Sequence, residues 1–163
     1  MKTLKLGNTI LLIIVCMMLE SCITLQQPLP NSLWGNWTFE EAGFLNKQSN
    51  SQLEPYQNIC HKEGDRLGFS SDHKMKLRWY DESCMIYEYF IGHYQVNGKI
   101  LTVDLAESHS YQDRPFPPIT KFRIMQIDAT TLKLEEIPDG SRRNRDRARP
   151  GFEPLIFILK KLD

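Results

Sequence analysis

The chain is poor in the features that announce chemistry. Its four histidines, His61, His73, His93 and His109, are dispersed with no pair at i, i+2 or i, i+4, the spacings at which a strand or a helix would aim two imidazoles at one metal ion. No Gly-x-Ser-x-Gly elbow and no phosphate-cradling glycine loop occurs among its nine glycines, which removes the sequence signals of serine hydrolases and nucleotide-binding enzymes. The acidic pairs Glu40-Glu41 and Glu135-Glu136 put neighbours on opposite faces of a strand, so they do not make a carboxylate dyad. Net charge is also missing, with 20 Lys plus Arg against 20 Asp plus Glu, so no overall field draws in a polyanion. The expectation is a non-enzymatic protein without cofactor or metal.

Long apolar runs are scarce as well. The one run, Ile10 to Leu19, is ten residues long behind the basic start Met1-Lys2-Thr3-Leu4-Lys5. A membrane-spanning helix needs about 20 residues, so this reads as the core of an export signal. Leu19-Glu20-Ser21-Cys22 then resembles the lipobox of bacterial lipoproteins, although Glu20 stands where a small residue is usual. That resemblance implies a signal peptide over residues 1–21, diacylation at Cys22, and an uncharged, twice-prolined tether over residues 22–31. Two acyl chains give stable attachment, because each buried methylene is worth about 0.8 kcal/mol and one chain alone is marginal. The implied partner is a lipid bilayer, and the expected location is the periplasmic face of the outer membrane.

Cysteine is the next scarcity. On the reading that the resemblance implies, Cys16 leaves with the signal and Cys22 carries lipid, so Cys60 and Cys84 remain as one pair in an oxidising compartment. Without Cys-x-x-Cys spacing the pair reads as structural.

What the chain has in quantity is strand pattern, over residues 32–163, and no sustained helical period. Ser70-Ser71-Asp72-His73-Lys74 separates Leu67-Gly68-Phe69 from the alternating Met75, Leu77 and Trp79, which predicts a hairpin. Asn97-Gly98 predicts a second, tighter one of type I′, with positive φ at both positions. Between them Ile86 to Val96 would span roughly 36 Å, far beyond the common strand of about 5–6 residues, and Gly92 is the expected place for a bulge or bend. Ile119 to Ile127 and Thr131 to Ile137 pair across Asp128, and Phe152 to Leu162 supplies a last strand. The polar stretch from Asn46 to Asn58 reads as a long loop, either a lid or a solvated excursion. The proline-rich stretch from Ala106 to Pro118 reads as an exposed connection.

Gly35-Asn36-Trp37 looks like the Gly-x-Trp motif at the first strand of lipocalins, and the order of motifs over residues 32–137 resembles the lipocalin-like domains of bacterial lipoproteins. The resemblance implies an all-β fold, a single antiparallel up-and-down barrel of about eight strands, with Trp37 across the closed floor under Lys160 or Lys161. It also directs attention to the interior. If Gly92 causes no change of register, Tyr87, Tyr89, Ile91 and His93 share a face beside Leu77 and Trp79, and they either line a pocket for a small hydrophobic or amphipathic ligand or form ordinary filled core. Finally, Arg142, Arg143, Arg145, Arg147 and Arg149 crowd one segment bracketed by Gly140 and Pro150-Gly151. It is either a solvated loop or a contact for anionic headgroups or an acidic protein, nucleic acid being a poor fit to an exported chain of balanced charge. The alternative to ligand binding is a structural or interaction module of the cell envelope.

Overall fold

The structure is a computed structural model that describes residues 31–45, 51–106, 117, 119–138 and 153–162. Cys22 and the segments before residue 31 lie outside the described residues, as do the five arginines from Arg142 to Arg149 and most of the proline-rich connection.

A 3₁₀ turn, Asn31–Leu33, leads into nine strands: β1 Gly35–Leu45, β2 Ser51–Pro55, β3 Arg66–Phe69, β4 Lys74–Tyr80, β5 Ile86–Asn97, β6 Ile100–Leu105, β7 Lys121–Ile127, β8 Thr131–Glu136 and β9 Leu155–Lys161. All pairings are antiparallel. Sequential neighbours pair from β3 to β9, β3 returns to β1, and β1 pairs with β9, so eight strands close on themselves. Closure removes the sheet edges that would otherwise remain unpaired.

The ninth strand corrects the sequence reading. Residues 46–58 are not simply a loop, because Ser51–Pro55 pairs with the far half of β1 in the register Leu45↔Ser51 to Glu41↔Pro55. The reason is backbone supply. β3 is only four residues long and covers β1 from Gly35 to Thr38, leaving the N–H and C=O groups beyond it in need of partners. β1 accordingly runs on to Leu45, well past Phe39. Side-chain pattern plays little part in such a pairing, and the polar composition of β2 hid it.

The interior follows the two-residue period. Leu67 and Phe69 of β3, Met75 and Leu77 of β4, Leu101, Val103 and Leu105 of β6, Phe122 and Ile124 of β7, and Leu132 and Leu134 of β8 are all buried in one cluster with Trp37. On β8 the outward Glu135 pairs with Arg123 at 3.2 Å while Glu136 faces the interior opposite Phe122 and accepts a hydrogen bond from the Leu155 N–H at 3.0 Å. The two carboxylates therefore do point apart, although both are buried.

Three bulges interrupt the period, after Phe39 in β1, at Ile91 in β5 and after Ile124 in β7. The one in β5 matters most. Met75 pairs with Gly92 and Lys76 with Phe90, leaving Ile91 as the extra residue. A Cβ on Gly92 would stand 2.1 Å from the Asp104 carbonyl oxygen, so only glycine lets β5 and β6 approach there. The second hairpin also differs from the expectation. Asn97 pairs with Ile100, so its central residues are Gly98 and Lys99, and only Gly98 has positive φ, at 57°. Positive φ at the first central position alone belongs to a type II′ turn, not type I′.

Candidate functional site

One end of the barrel is shut. The Leu33 side chain is wholly buried there, and the Trp37 indole Nε1–H donates to the Leu33 carbonyl at 2.7 Å. The register places Trp37 opposite Lys161, whose Nζ lies 5.1 Å above the indole ring and donates to the Ser32 carbonyl at 3.4 Å. Lys160 points the other way, toward Glu40 at 3.8 Å. Of the two lysines open in the sequence, Lys161 is the one on the tryptophan, because a strand offers one face only alternate residues.

The other end, which the sequence reading takes as the mouth, is reached among the described residues by the end of β1, by β2, by the segment 56–65 and by the turn between β4 and β5. A carboxylate organises this rim. Asp65 is buried, accepts from the Tyr56 hydroxyl at 2.8 Å on Oδ2 and from the Tyr80 N–H at 3.2 Å on Oδ1, and its own N–H donates to Asn58 Oδ1 at 2.8 Å. Its carbonyl accepts from the Thr38 hydroxyl at 3.2 Å. Burial, and then the neighbouring Asp65 charge, push the Tyr56 phenol well above its usual range, so the phenol stays a donor throughout the ordinary pH range. The Tyr56 ring stacks on Phe39 with centroids 4.8 Å apart, which plugs the wall between the far half of β1 and the end of β4. Nothing in the sequence marks Asp65 for this role, since its partners are 7, 9 and 15 residues away in both directions.

The disulfide sits beside this rim. Cys60 and Cys84 are bonded with Cα atoms 5.1 Å apart, joining the segment 56–65 to the β4–β5 turn. Their chain neighbours Ile59 and Met85 stand 55% and 60% exposed, as do Phe44 and Ile86 to similar degrees, so the mouth carries apolar surface open to solvent.

The residues expected to share one interior face divide in the structure. Trp79 and Tyr87 are directly opposite on β4 and β5 and stack with centroids 4.7 Å apart. Below them Leu77 faces Tyr89, and below those lie Ile91 and Met75. Exposure falls along this ladder, from 45% at Tyr87 through the half-buried Tyr89 to a wholly buried Ile91. His93 is not part of it. The extra residue at Ile91 turns the strand over, so Tyr94 takes the inward position and His93 lies exposed on the outer wall against the Phe90 ring, 5.0 Å between centroids. Chemically, then, the barrel offers a lower interior lined by buried apolar side chains and, at the rim, an aromatic shelf. Among the described residues no group of three His, Cys, Asp or Glu side chains is placed to hold a metal ion.

Neither a family model nor a curated protein matches this chain. Solved structures do. A lipocalin-like protein from Bacteroides uniformis superposes with a TM-score of 0.52 at 15% identity, over 80% of this chain and 99% of that one. An uncharacterized protein from Bacteroides eggerthii gives 0.51 at 9% identity over the same shares. At such identities the likeness is one of backbone, and with the closed eight-stranded meander and its tryptophan floor it leads to one conclusion: the fold of this chain is lipocalin-like.

Proposed function

We propose that the protein is an exported, membrane-anchored barrel that binds a small hydrophobic or amphipathic ligand at its mouth, without catalysing a reaction on it. The observation that carries this reading is the Trp79–Tyr87 stack, an aromatic pair at the rim of which Tyr87 is exposed and Trp79 half-buried against the core. Exposed aromatic surface with a polar tip suits a ligand that is apolar along one side and wet along the other. The buried apolar cluster from Trp37 up to Leu77 and Ile91 favours a shallow seat over a deep one.

The test is a titration of the full-length protein with a dansylated undecanoic acid. Saturable, one-to-one emission enhancement is expected, with Trp79→Ala combined with Tyr87→Ala weakening it at least tenfold, about 1.4 kcal/mol. His93→Ala, on the outer wall, should leave it unchanged. Absence of saturation, or an affinity indifferent to the double substitution, would favour the second reading, an interaction module of the envelope whose core is simply packed. Anchoring is read separately. The protein from its own host should carry a diacylglyceryl mass on Cys22 that disappears in Cys22→Ser, and an unmodified Cys22 would leave the barrel unanchored.

A further inference from the structure

Outside the barrel, on the wall shared by β1, β3 and β4 near the closed end, lies a concavity of about 410 Å³. Its floor includes Gly35 and Gly68, and a Cβ on Gly68 would already stand 3.1 Å from Asn36 Oδ1, so a larger residue there would fill it. Its sides are the outward residues Arg66, Lys74, Lys76 and Arg78. Arg66 and Arg78 are directly opposite in the β3–β4 register, an arrangement that costs stability in a sheet. Because these positions face water, the core does not require them to be basic.

The carboxylates nearby do not neutralise the group. Glu63 pairs with Arg66 at 2.9 Å and Asp72 with Lys74, while Lys76 and Arg78 converge on the single carboxylate of Glu88 at 2.8 and 3.0 Å. Four cations therefore meet three anions. The two cations hold the Glu88 carboxyl below its ordinary range, Lys76 first and Arg78 second. All these pairs reach solvent, Arg66 being half-buried, and such bridges contribute only about 0.2–1 kcal/mol each, so an incoming anion can exchange with them at small cost.

We propose that this basin is a binding site for a phosphate-type anion, with Arg66 and Arg78 supplying paired N–H donors, Lys76 a third charge, and Glu88 standing where the phosphate oxygens go. The guanidinium fork matches two phosphate oxygens at once, which a neutral ligand would not exploit. The anion has two chemical sources, a soluble phosphate or a phospholipid headgroup. Gly35, in the basin, follows directly on the 3₁₀ turn Asn31–Leu33, and acylation at Cys22, as proposed above, would keep headgroups within reach of the barrel. That second source rests on the anchoring proposed above; the soluble one does not.

The experiment is ¹H–¹⁵N NMR of the full chain in dodecyl maltoside micelles at constant ionic strength, with inorganic phosphate in one arm and phosphatidylglycerol doped into the micelles in the other. Saturable shifts are expected at the Gly68 and Asn36 amides and at the Arg66 and Arg78 Nε–H. Arg78→Gln should weaken binding at least tenfold, and Glu88→Gln should strengthen it about threefold by freeing both cations. Saturation in the phosphate arm assigns a soluble anion, and saturation in the lipid arm alone assigns a headgroup. Saturation in neither arm, or shifts insensitive to both substitutions, overturns the site. Both side chains are exposed, so the variants keep the fold, which unchanged circular dichroism would verify.

Discussion

Replacement of Trp37 by alanine is expected to lower the unfolding free energy by about 4 kcal/mol, the middle of the range for emptying a buried tryptophan site. The side chain is wholly buried, and the deletion opens a void between Leu33, Leu67 and the end of β9 that the closed barrel cannot collapse to fill. It also leaves the buried Leu33 carbonyl without the indole N–H now 2.7 Å away, and strands Lys161 above nothing. Trp37→Phe keeps much of the packing and loses the hydrogen bond, so a smaller cost is expected, about 1–2 kcal/mol. Lys161→Met removes one partly screened cation–π contact worth about 0.5–1 kcal/mol. Urea unfolding of the three variants reads this order directly. A loss under about 1.5 kcal/mol for Trp37→Ala would mean that the floor is not a packed part of the core.

The second large effect belongs to the disulfide. Breaking Cys60–Cys84 frees a closure of 24 residues, for which the chain-entropy relation gives a loss of about 3–4 kcal/mol. For a domain of this size the melting temperature should fall by about 10–15 °C. The native segment is held by more than the bond, since Asp65, Tyr56, Asn58 and Tyr80 tie the same residues to β1 and β4. Cys60→Ala combined with Cys84→Ala should therefore retain the wild-type far-ultraviolet circular dichroism while unfolding earlier, and a reductant should reproduce that shift in the native chain. If the double variant melts within about 3 °C of wild type, the loop is pinned by the Asp65 network alone and the covalent link is redundant.

Much of the barrel could be read in one dimension because its signals are local. Leu132 and Leu134 alternating with Lys133 and Glu135 declare a strand with one buried face, and on β8 both leucines are buried and Lys133 half-buried, while Glu135 is covered as well, beside Arg123. Ser70 to His73 separate β3 from β4 with His73 at φ 61°, one residue shorter than the expected turn because Lys74 already belongs to β4. The pairing of Cys60 with Cys84 follows from the cysteine count once the lipobox resemblance sets Cys16 and Cys22 aside, and the two are bonded. The failures are equally specific. Uninterrupted alternation groups His93 with Tyr87, Tyr89 and Ile91, whereas the one extra residue at Ile91 reverses parity for everything downstream. Gly92 signalled that an irregularity belonged there, but not whether it would be a bend that keeps the face or a bulge that changes it.

Two-residue alternation and turn residues determined that the chain would be all-β, since these depend on neighbours a few positions apart, whereas the closed barrel with its tryptophan floor is an expectation from the lipocalin resemblance and the sulfur bridge one from the cysteine count. Register belonged to the tertiary structure. It decided that Lys161 covers Trp37, that Ser51–Pro55 completes β1, that Asp65 gathers Tyr56 and Tyr80, and that Arg66 stands opposite Arg78 over a glycine floor. Each of these is a meeting of residues set by which strand lies beside which and by how far it has slid. Sliding energy is summed over a whole pair of strands, so no single stretch of sequence carries it.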